Sequence, residues 1–325
     1  MDDVSIRLTC ADYARIMPLA TGAVRPEGVD LKLVLGSEGR WPARAEMLRR
    51  ALEDESVDGG EASMGVHLRR IDQGDRSFVA LPIFVLRNFT ARDIYLRAGS
   101  GIRTPADLVG KRIGMYSWTA SGSIWYRHFL SYIGIDPAAV QWCIGEVDQA
   151  YASRNEPKFP PGVTVPPAGR SLSDLLLDGE LDAIYSPPRP ARYHPVNGPI
   201  VRLFPDFRGI ERAYYKDTGA FPPQHLVVLR RSVWERDKSL AHRITDAFIR
   251  CEDVFRTSVR SFPYVSPWLS AELEETEAAM GDNPYAHGIE ANRAMMEMFA
   301  EQAFRTGLTQ RRVAIEDYFA EFLAS

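Results

Sequence analysis

The sequence predicts an α/β protein of two lobes, the second inserted in the first, followed by a helical C-terminal third. Three observations carry this expectation. Short apolar or alternating segments and helical stripes succeed one another from the first residues, the order that builds a sheet covered by helices. The succession restarts near residue 93. A chain of 325 residues also exceeds what one core usually organises. The expected lobes are residues 1–92 plus 216–325, and residues 93–215, with the chain crossing between them near 86–93 and again near 216–226.

Taken in order, Val4, Ile6, Leu8 and Cys10 alternate with Ser5, Arg7 and Thr9, a strand signal of period two. Trp41, Ala45, Leu48 and Leu52 recur at helical spacing. Residues 56–63 then lead to a helix over 64–73 that Gly74 stops. Phe78 to Val85 is uninterrupted and apolar, as in a strand buried on both faces. These elements suggest a parallel sheet. The second series begins with a strand at 93–96 and a short helix opened by Thr104 and Pro105. A strand at 111–115 runs into the polar loop 116–123, and a helix follows with Trp125, Phe129, Tyr132 and Ile133 on one face. The five prolines of 157–167 mark a surface excursion. A helix at 172–177 precedes a strand at 181–185 and the segment 186–190. After a last strand at 225–229, Leu240, Ile244, Phe248, Cys251 and Phe255 form one helical stripe, and Met296, Phe299, Ala303 and Phe304 another.

Composition narrows the function classes. The chain is 45% hydrophobic and 25% charged, with mean hydropathy −0.22, as in ordinary globular proteins. Its longest apolar run, Phe78 to Leu86, contains Pro82 and falls far short of the ~20 residues that span a bilayer. A net charge of −4 and a pI near 5.9 do not suit phosphate-tracking nucleic-acid binding. The expected partner is therefore a small molecule, with no nucleic acid or membrane, alongside self-association as a homo-oligomer. Only five of the basic residues are lysine. A GC-rich genome accounts for this, and arginine's fork also suits carboxylates. Cys10, Cys143 and Cys251 are dispersed, which suits a reducing compartment and excludes a disulfide framework. No basic start and apolar core of a secretory leader precedes the first strand, so a cytoplasmic location is expected. No HxH or HExxH pair occurs, and no metal or other cofactor is expected.

Several residues fall where a ligand between the lobes would sit, beyond the carboxyl ends of strands. The loop of Tyr116, Ser117, Trp118, Thr119, Ala120, Ser121, Gly122 and Ser123 opens a helix, a setting that offers N–H groups and hydroxyls to an anion. It also reads as a simple helix cap by Thr119 or Ser121. Arg15, Arg87 and Arg189 each follow a strand and are candidates to clamp a carboxylate, or to be solvated surface cations. Tyr13, Trp118 and Tyr185 are ring-stacking or core aromatics. Glu61 and Asp12 are candidate bases at strand ends, or caps of neighbouring helices. Ser63 ends the same strand as Glu61. His67 lies on the helix that follows. His225, at the start of a strand beside the expected cleft, is the strongest candidate acid or base, because imidazole titrates near neutrality. His128, His194, His242 and His287 show no partner pattern.

The stretch Ser100 to Gly114, with Thr104-Pro105-Ala106-Asp107-Leu108 at its centre, resembles periplasmic-binding-protein-like domains of type II. Cys10-Ala11-Asp12-Tyr13 with Pro26-Glu27-Gly28-Val29-Asp30-Leu31 resembles the start of the 4,5-dihydroxyphthalate decarboxylase family. Leu203-Phe204-Pro205-Asp206-Phe207, Glu211 to Tyr215 and Thr218-Gly219-Ala220-Phe221-Pro222 are similar to that family's second signature, which continues through His225. Gly288-Ile289-Glu290-Ala291-Asn292-Arg293 is similar to a third. The chain departs from the family pattern with His67 in place of Tyr, and with Pro223-Gln224 in place of two apolar residues.

The resemblance implies cofactor-independent loss of CO2 from a hydroxylated aromatic carboxylate, within the breakdown of phthalate-like aromatic acids. Direct CO2 loss would leave an aryl carbanion. Protonating the ring carbon first places positive charge that a phenol or phenolate delocalises. On this scheme His225 is the acid and Glu61 the phenol partner. Arg15 or Arg87, with loop 116–123, would hold a remaining carboxylate. Tyr13, Ser63, His67, Arg87, Tyr116, Trp118, Thr119, Ser121, Tyr185 and Arg189 complete the expected substrate contacts. Two alternatives stand beside this reading: a solute-binding protein that captures a carboxylate without chemistry, and a pyrimidine-synthesis enzyme, whose clustered cysteines are missing.

Overall fold

The computed structural model describes residues 3–151, 159–261 and 266–325. Among the described residues, ten strands form two sheets. They are β1 (Val4–Cys10), β2 (Val29–Leu35), β3 (Gly59–Ser63), β4 (Phe78–Arg87), β5 (Ile94–Arg97), β6 (Arg112–Met115), β7 (Gln141–Ile144), β8 (Ala183–Tyr185), β9 (Ile200–Arg202) and β10 (Pro223–Arg230). Contacts divide the chain into a first unit of 1–87, 221–297 and 313–325, and a second of 88–220 and 298–312. The assignment of 298–312 differs from the sequence-based boundaries. Phe299, from the second helical stripe, packs its ring 5.6 Å from Trp125 within the second unit.

The first sheet has the order β2-β1-β3-β10-β4. β1 runs parallel to β2 and β3, whereas β10 is antiparallel to both its neighbours. The sheet is thus mixed rather than parallel, because β10 enters from a distant part of the chain and fills the centre. β4 is buried along nearly its whole length, as its apolar run requires. Ile6, Leu8, Leu81, Ile83, Val227 and Leu229 pack with Ile244, Phe248 and Cys251 of the helix Leu240–Ser261. Full burial of such a side chain contributes about 1.5–3 kcal/mol.

Gly59 and Gly60 let β3 fit between its neighbours. Both adopt positive φ, 147° and 152°. A Cβ on Gly59 would lie 2.1 Å from the Val228 carbonyl oxygen, and one on Gly60 would lie 2.2 Å from Thr9 Oγ1. No side chain fits there, and the strand delivers Glu61 immediately afterwards.

The second sheet repeats the pattern with the order β7-β6-β8-β5-β9. β6 is parallel to β7 and β8, while β5 is antiparallel to β8 and β9. Its core includes Tyr95, Leu172, Leu175, Leu181, Ile184 and Ile200. The short helix Pro105–Leu108 forms where the sequence suggests, and Thr104 and Asp107 make a capping box on it. The proline-rich stretch 157–167 begins outside the described residues, and the remainder from Phe159 onward is irregular apart from one isolated bridge at Thr164. Among the described residues no helix is long and apolar enough to cross a membrane.

Candidate active site

Glu61 is a fully buried carboxylate in the centre of the first sheet. In the β3–β10 register Glu61 lies opposite Val227 and Ser63 opposite His225, which makes Glu61 and His225 diagonal neighbours on one face. The pairing of β10 with β4 shifts register on both sides of His225. Such an irregularity re-aims a side chain. His225 Nδ1 lies 2.5 Å from Glu61 Oε1.

Three further groups converge on the carboxylate. The Tyr13 hydroxyl donates to Oε1 at 2.7 Å, the Ala11 N–H to Oε2 at 2.9 Å, and Cys10 Sγ lies 3.7 Å from Oε2. Arg44, from the helix Trp41–Glu53, donates to the Tyr13 hydroxyl at 2.7 Å and stands 4.0 Å from Oε1. Burial by itself would raise the Glu61 carboxyl. The hydrogen bond and charge of His225, with the bonds from Tyr13 and Ala11, outweigh it and hold the group below the ordinary carboxylate value. Burial, reinforced by the Glu61 charge, pushes the Tyr13 phenol and the Cys10 thiol upward, so both stay protonated.

An ionised carboxylate only accepts, so His225 Nδ1 carries the proton between them. This fixes the ring's orientation and leaves Nε2 on the far side of the ring. Nε2 makes no hydrogen bond among the described residues, and the side chain keeps 12% of its surface exposed. The arrangement is that of an imidazole oriented and charge-compensated by a buried carboxylate, suited to giving and taking a proton at Nε2.

Glu61 therefore does not have the role expected of it as partner to a substrate phenol. It has no exposed surface, and its oxygens are occupied by groups of the protein. Tyr13 is tied to Glu61 and Arg44 in the same way. Ser63 sits beside His225 in the register and precedes the helix Met64–Asp72. Asp12 is exposed and accepts from the Ser37 hydroxyl.

His67 takes a core position instead of an exposed one. It is buried in the core against Tyr318, ring to ring at 5.1 Å, and burial, with the charges of Arg70 and Arg76, pushes it down to about 3, so it is neutral. Arg15 and Arg87 have their terminal nitrogens engaged internally. Arg15 pairs with Glu252 at 3.2 Å, donates to the Val85 carbonyl at 2.6 Å and lies over Tyr285. Arg87 is buried and donates to the carbonyls of Phe221 and Ala286 and to Asn292. Asn292 in turn holds the carbonyls of Ala286 and Gly288. The Gly288–Arg293 signature is thus a structural clasp on β4, and His287 joins it by accepting from the Phe84 N–H.

The remaining candidates lie in the second unit. Tyr185 is fully buried, stacked on Tyr126 with centroids 4.3 Å apart, and the Tyr116 ring lies 6.1 Å from it. Trp118 is nearly buried. Thr119 is half-buried, 3.5 Å from the Ser117 hydroxyl, and Ser121 is buried. Neither Thr119 nor Ser121 caps the helix Ser121–Tyr132. The cap position is Ala120, whose N–H is accepted by Ser117 Oγ. Arg189 is exposed and lies over the Tyr193 ring, with no ion pair among the described residues. No group of three or more His, Cys, Asp or Glu side chains is placed to hold a metal ion among the described residues.

Two functional-looking residues escaped the sequence reading, Arg44 and Arg127. Arg44 has no distinguishing context on a polar helix. Arg127 does, since it stands between Tyr126 and His128 in an otherwise apolar stretch.

Comparison with known proteins agrees with the fold and supplies the family. Residues 79–153 match the family described as NMT1/THI5 like. The alkanesulfonate-binding protein from Xanthomonas axonopodis pv. citri superposes with a TM-score of 0.50 at 13% identity, covering 98% of each chain. The periplasmic aliphatic sulphonate binding protein from Escherichia coli gives 0.51 at 14%, covering 97% of this chain and 91% of its own. These likenesses place the chain in the periplasmic-binding-protein type II fold. The 4,5-dihydroxyphthalate decarboxylase of Comamonas testosteroni is 27% identical over 98% of this chain and 97% of its own. The enzyme of the same name from Pseudomonas putida is 30% identical over 66% of this chain and 83% of its own. The chain belongs to the 4,5-dihydroxyphthalate decarboxylase family.

Proposed function

We propose that this protein removes CO2 from a hydroxylated aromatic carboxylate of the 4,5-dihydroxyphthalate type, without a cofactor, and that His225 is its proton donor. The observation that carries this reading is the His225–Glu61 pair at 2.5 Å, with Nδ1 committed to a buried carboxylate and Nε2 available.

The chemistry needs one proton at one ring carbon. His225, protonated on both nitrogens, donates the Nε2 proton to the carbon that bears the departing carboxylate. Positive charge spreads to a ring hydroxyl. The carbon–carboxylate bond then breaks, its electron pair restores the aromatic sextet, and CO2 leaves. The new C–H bond keeps the proton, so the reaction is redox-neutral and consumes one proton, which Nε2 regains from solvent. Glu61 compensates the charge on the imidazolium and fixes its tautomer, and Tyr13 and Arg44 hold Glu61 in place. These three are positioning residues.

A test is to follow CO2 and 3,4-dihydroxybenzoate formation from 4,5-dihydroxyphthalate, with a panel of dihydroxybenzene carboxylates beside it. Stoichiometric release from at least one such acid is expected. The rival reading, capture of a carboxylate without chemistry, is favoured by the binding-protein fold and requires tight binding with no product from any member of the panel. A cytoplasmic location belongs to the same proposal and is supported by three buried, unpaired cysteines. Fractionation of cells that express the natural gene tests it.

A further inference from the structure

Within the second unit, the helix Ser121–Tyr132 buries a charge that no carboxylate accompanies among the described residues. Arg127 has no exposed surface. Its Nη1 and Nη2 donate to the Trp118 carbonyl at 3.3 and 3.2 Å, its guanidinium lies 4.1 Å from the Trp118 ring centre, and Nε has no acceptor. Burial pushes the guanidinium down to about 9, and only the Tyr116 phenol acts in the other direction. Removing such an ion from water costs several kcal/mol, and one carbonyl and a ring face offset only part of it.

The neighbouring orphan atoms can all donate as well. Trp118 Nε1 and the hydroxyls of Tyr126 and Tyr185 are buried without a partner. Together with Arg127 Nε they make a surplus of donors in an aromatic setting, where Trp142 lies 6.1 Å from both Trp118 and Tyr126. The indole N–H can only donate, and a guanidinium has no acceptor. A water molecule would satisfy the hydroxyls but leave the charge. An ionised carboxylate supplies acceptors and the opposite charge at once. Ser117, Thr119 and Ala120 of the adjoining loop keep partial exposure.

We infer that Arg127, with the Trp118 indole N–H and the adjacent tyrosine hydroxyls, forms a carboxylate-binding subsite in the second unit, suited to an acid group carried on a flat ring. The site stands on its own donors, so it does not depend on which reaction the protein performs.

Calorimetric titration of the full chain with phthalate, and with catechol as a ring lacking carboxylates, tests the inference. Phthalate is expected to bind the wild type, to lose about 30-fold or more in affinity for Arg127→Met, and to fall between the two for Arg127→Lys, which keeps the charge but not the fork. Any catechol affinity should be unchanged. Equal phthalate affinity in wild type and Arg127→Met, or no binding to the wild type, overturns it. If Arg127→Met does not fold, a crystal structure of the wild type with phthalate decides: a carboxylate at hydrogen-bond distance from Arg127 Nε supports the subsite, and phthalate bound elsewhere rejects it. Loss of CO2 release with intact Arg127-dependent phthalate binding would remove the proposed reaction and leave this subsite standing.

Discussion

The two units share one strand pattern and bury charge in opposite ways. In the first, Glu61 is surrounded by His225, Tyr13, Ala11 and Arg44, so the buried anion has a donor on every side and a cation in contact. In the second, Arg127 lies equally deep with a carbonyl and an indole ring for company. A compensated buried pair holds a proton in a defined place and suits acid–base work. An uncompensated buried cation suits the capture of a charge from outside. The same scaffold, built twice, thus supports two electrostatic tasks, and sequence periodicity alone does not distinguish them.

The comparison breaks most visibly if Glu61 is removed. Glu61→Leu should cost about 3–5 kcal/mol in denaturant unfolding, since it leaves the groups around it unpaired in the core. A loss under 1 kcal/mol would show that the network is not compensated as described. Gly60→Ala should cost about 2–4 kcal/mol, because its Cβ would lie 2.4 Å from the Thr9 carbonyl oxygen as well as against Oγ1. Unchanged stability would mean that β3 can shift and that the position of Glu61 is not held by this contact.

Acidification sharpens the same contrast. The folded state holds Glu61 below its ordinary 4.5, so its contribution is complete above that value and disappears as pH falls through the lower folded value. Unfolding free energy should therefore decline more steeply below pH 4.5 in the wild type than in Glu61→Gln, and parallel curves would contradict this. The smallest effect is expected in the second unit. Arg127→Met should stay within about 1 kcal/mol of the wild type or gain stability, since it removes an uncompensated charge while leaving one carbonyl to satisfy. A loss above 3 kcal/mol would make Arg127 a structural pin.

Much of this was legible in the residues. The runs of β4 and β1 and the stripe Leu240, Ile244, Phe248 and Cys251 announce themselves, because buried strands and core helices concentrate apolar side chains; β4 ends its sheet yet is buried along nearly its whole length. The strands the sequence reading passes over are β2, β7 and β9, all at sheet edges. Edge strands are short or half-exposed and carry little apolar signal, as the pattern of β2 shows. The antiparallel entry of β10 is likewise invisible to local pattern. In the site, His225 and Glu61 were identified individually. Their pairing was not, since it depends on a register between segments 164 residues apart. The arginines mislead for a related reason. Arg87 and Arg127 both look like cations beside a strand or on a helix, and only the fold shows that the terminal nitrogens of one reach Phe221, Ala286 and Asn292 while those of the other share the Trp118 carbonyl.

Whether a carboxylate-oriented His225 delivers the proton is read by comparing wild type and His225→Gln for turnover and substrate binding side by side. General acid catalysis typically contributes 10²–10⁴-fold. For 4,5-dihydroxyphthalate or the best acid of the panel, kcat should fall by about that size, with binding affinity within a few-fold of wild type. A His225→Gln protein that binds normally and turns over near the wild-type rate would contradict it, as would a wild type that releases no CO2 from any dihydroxybenzene carboxylate.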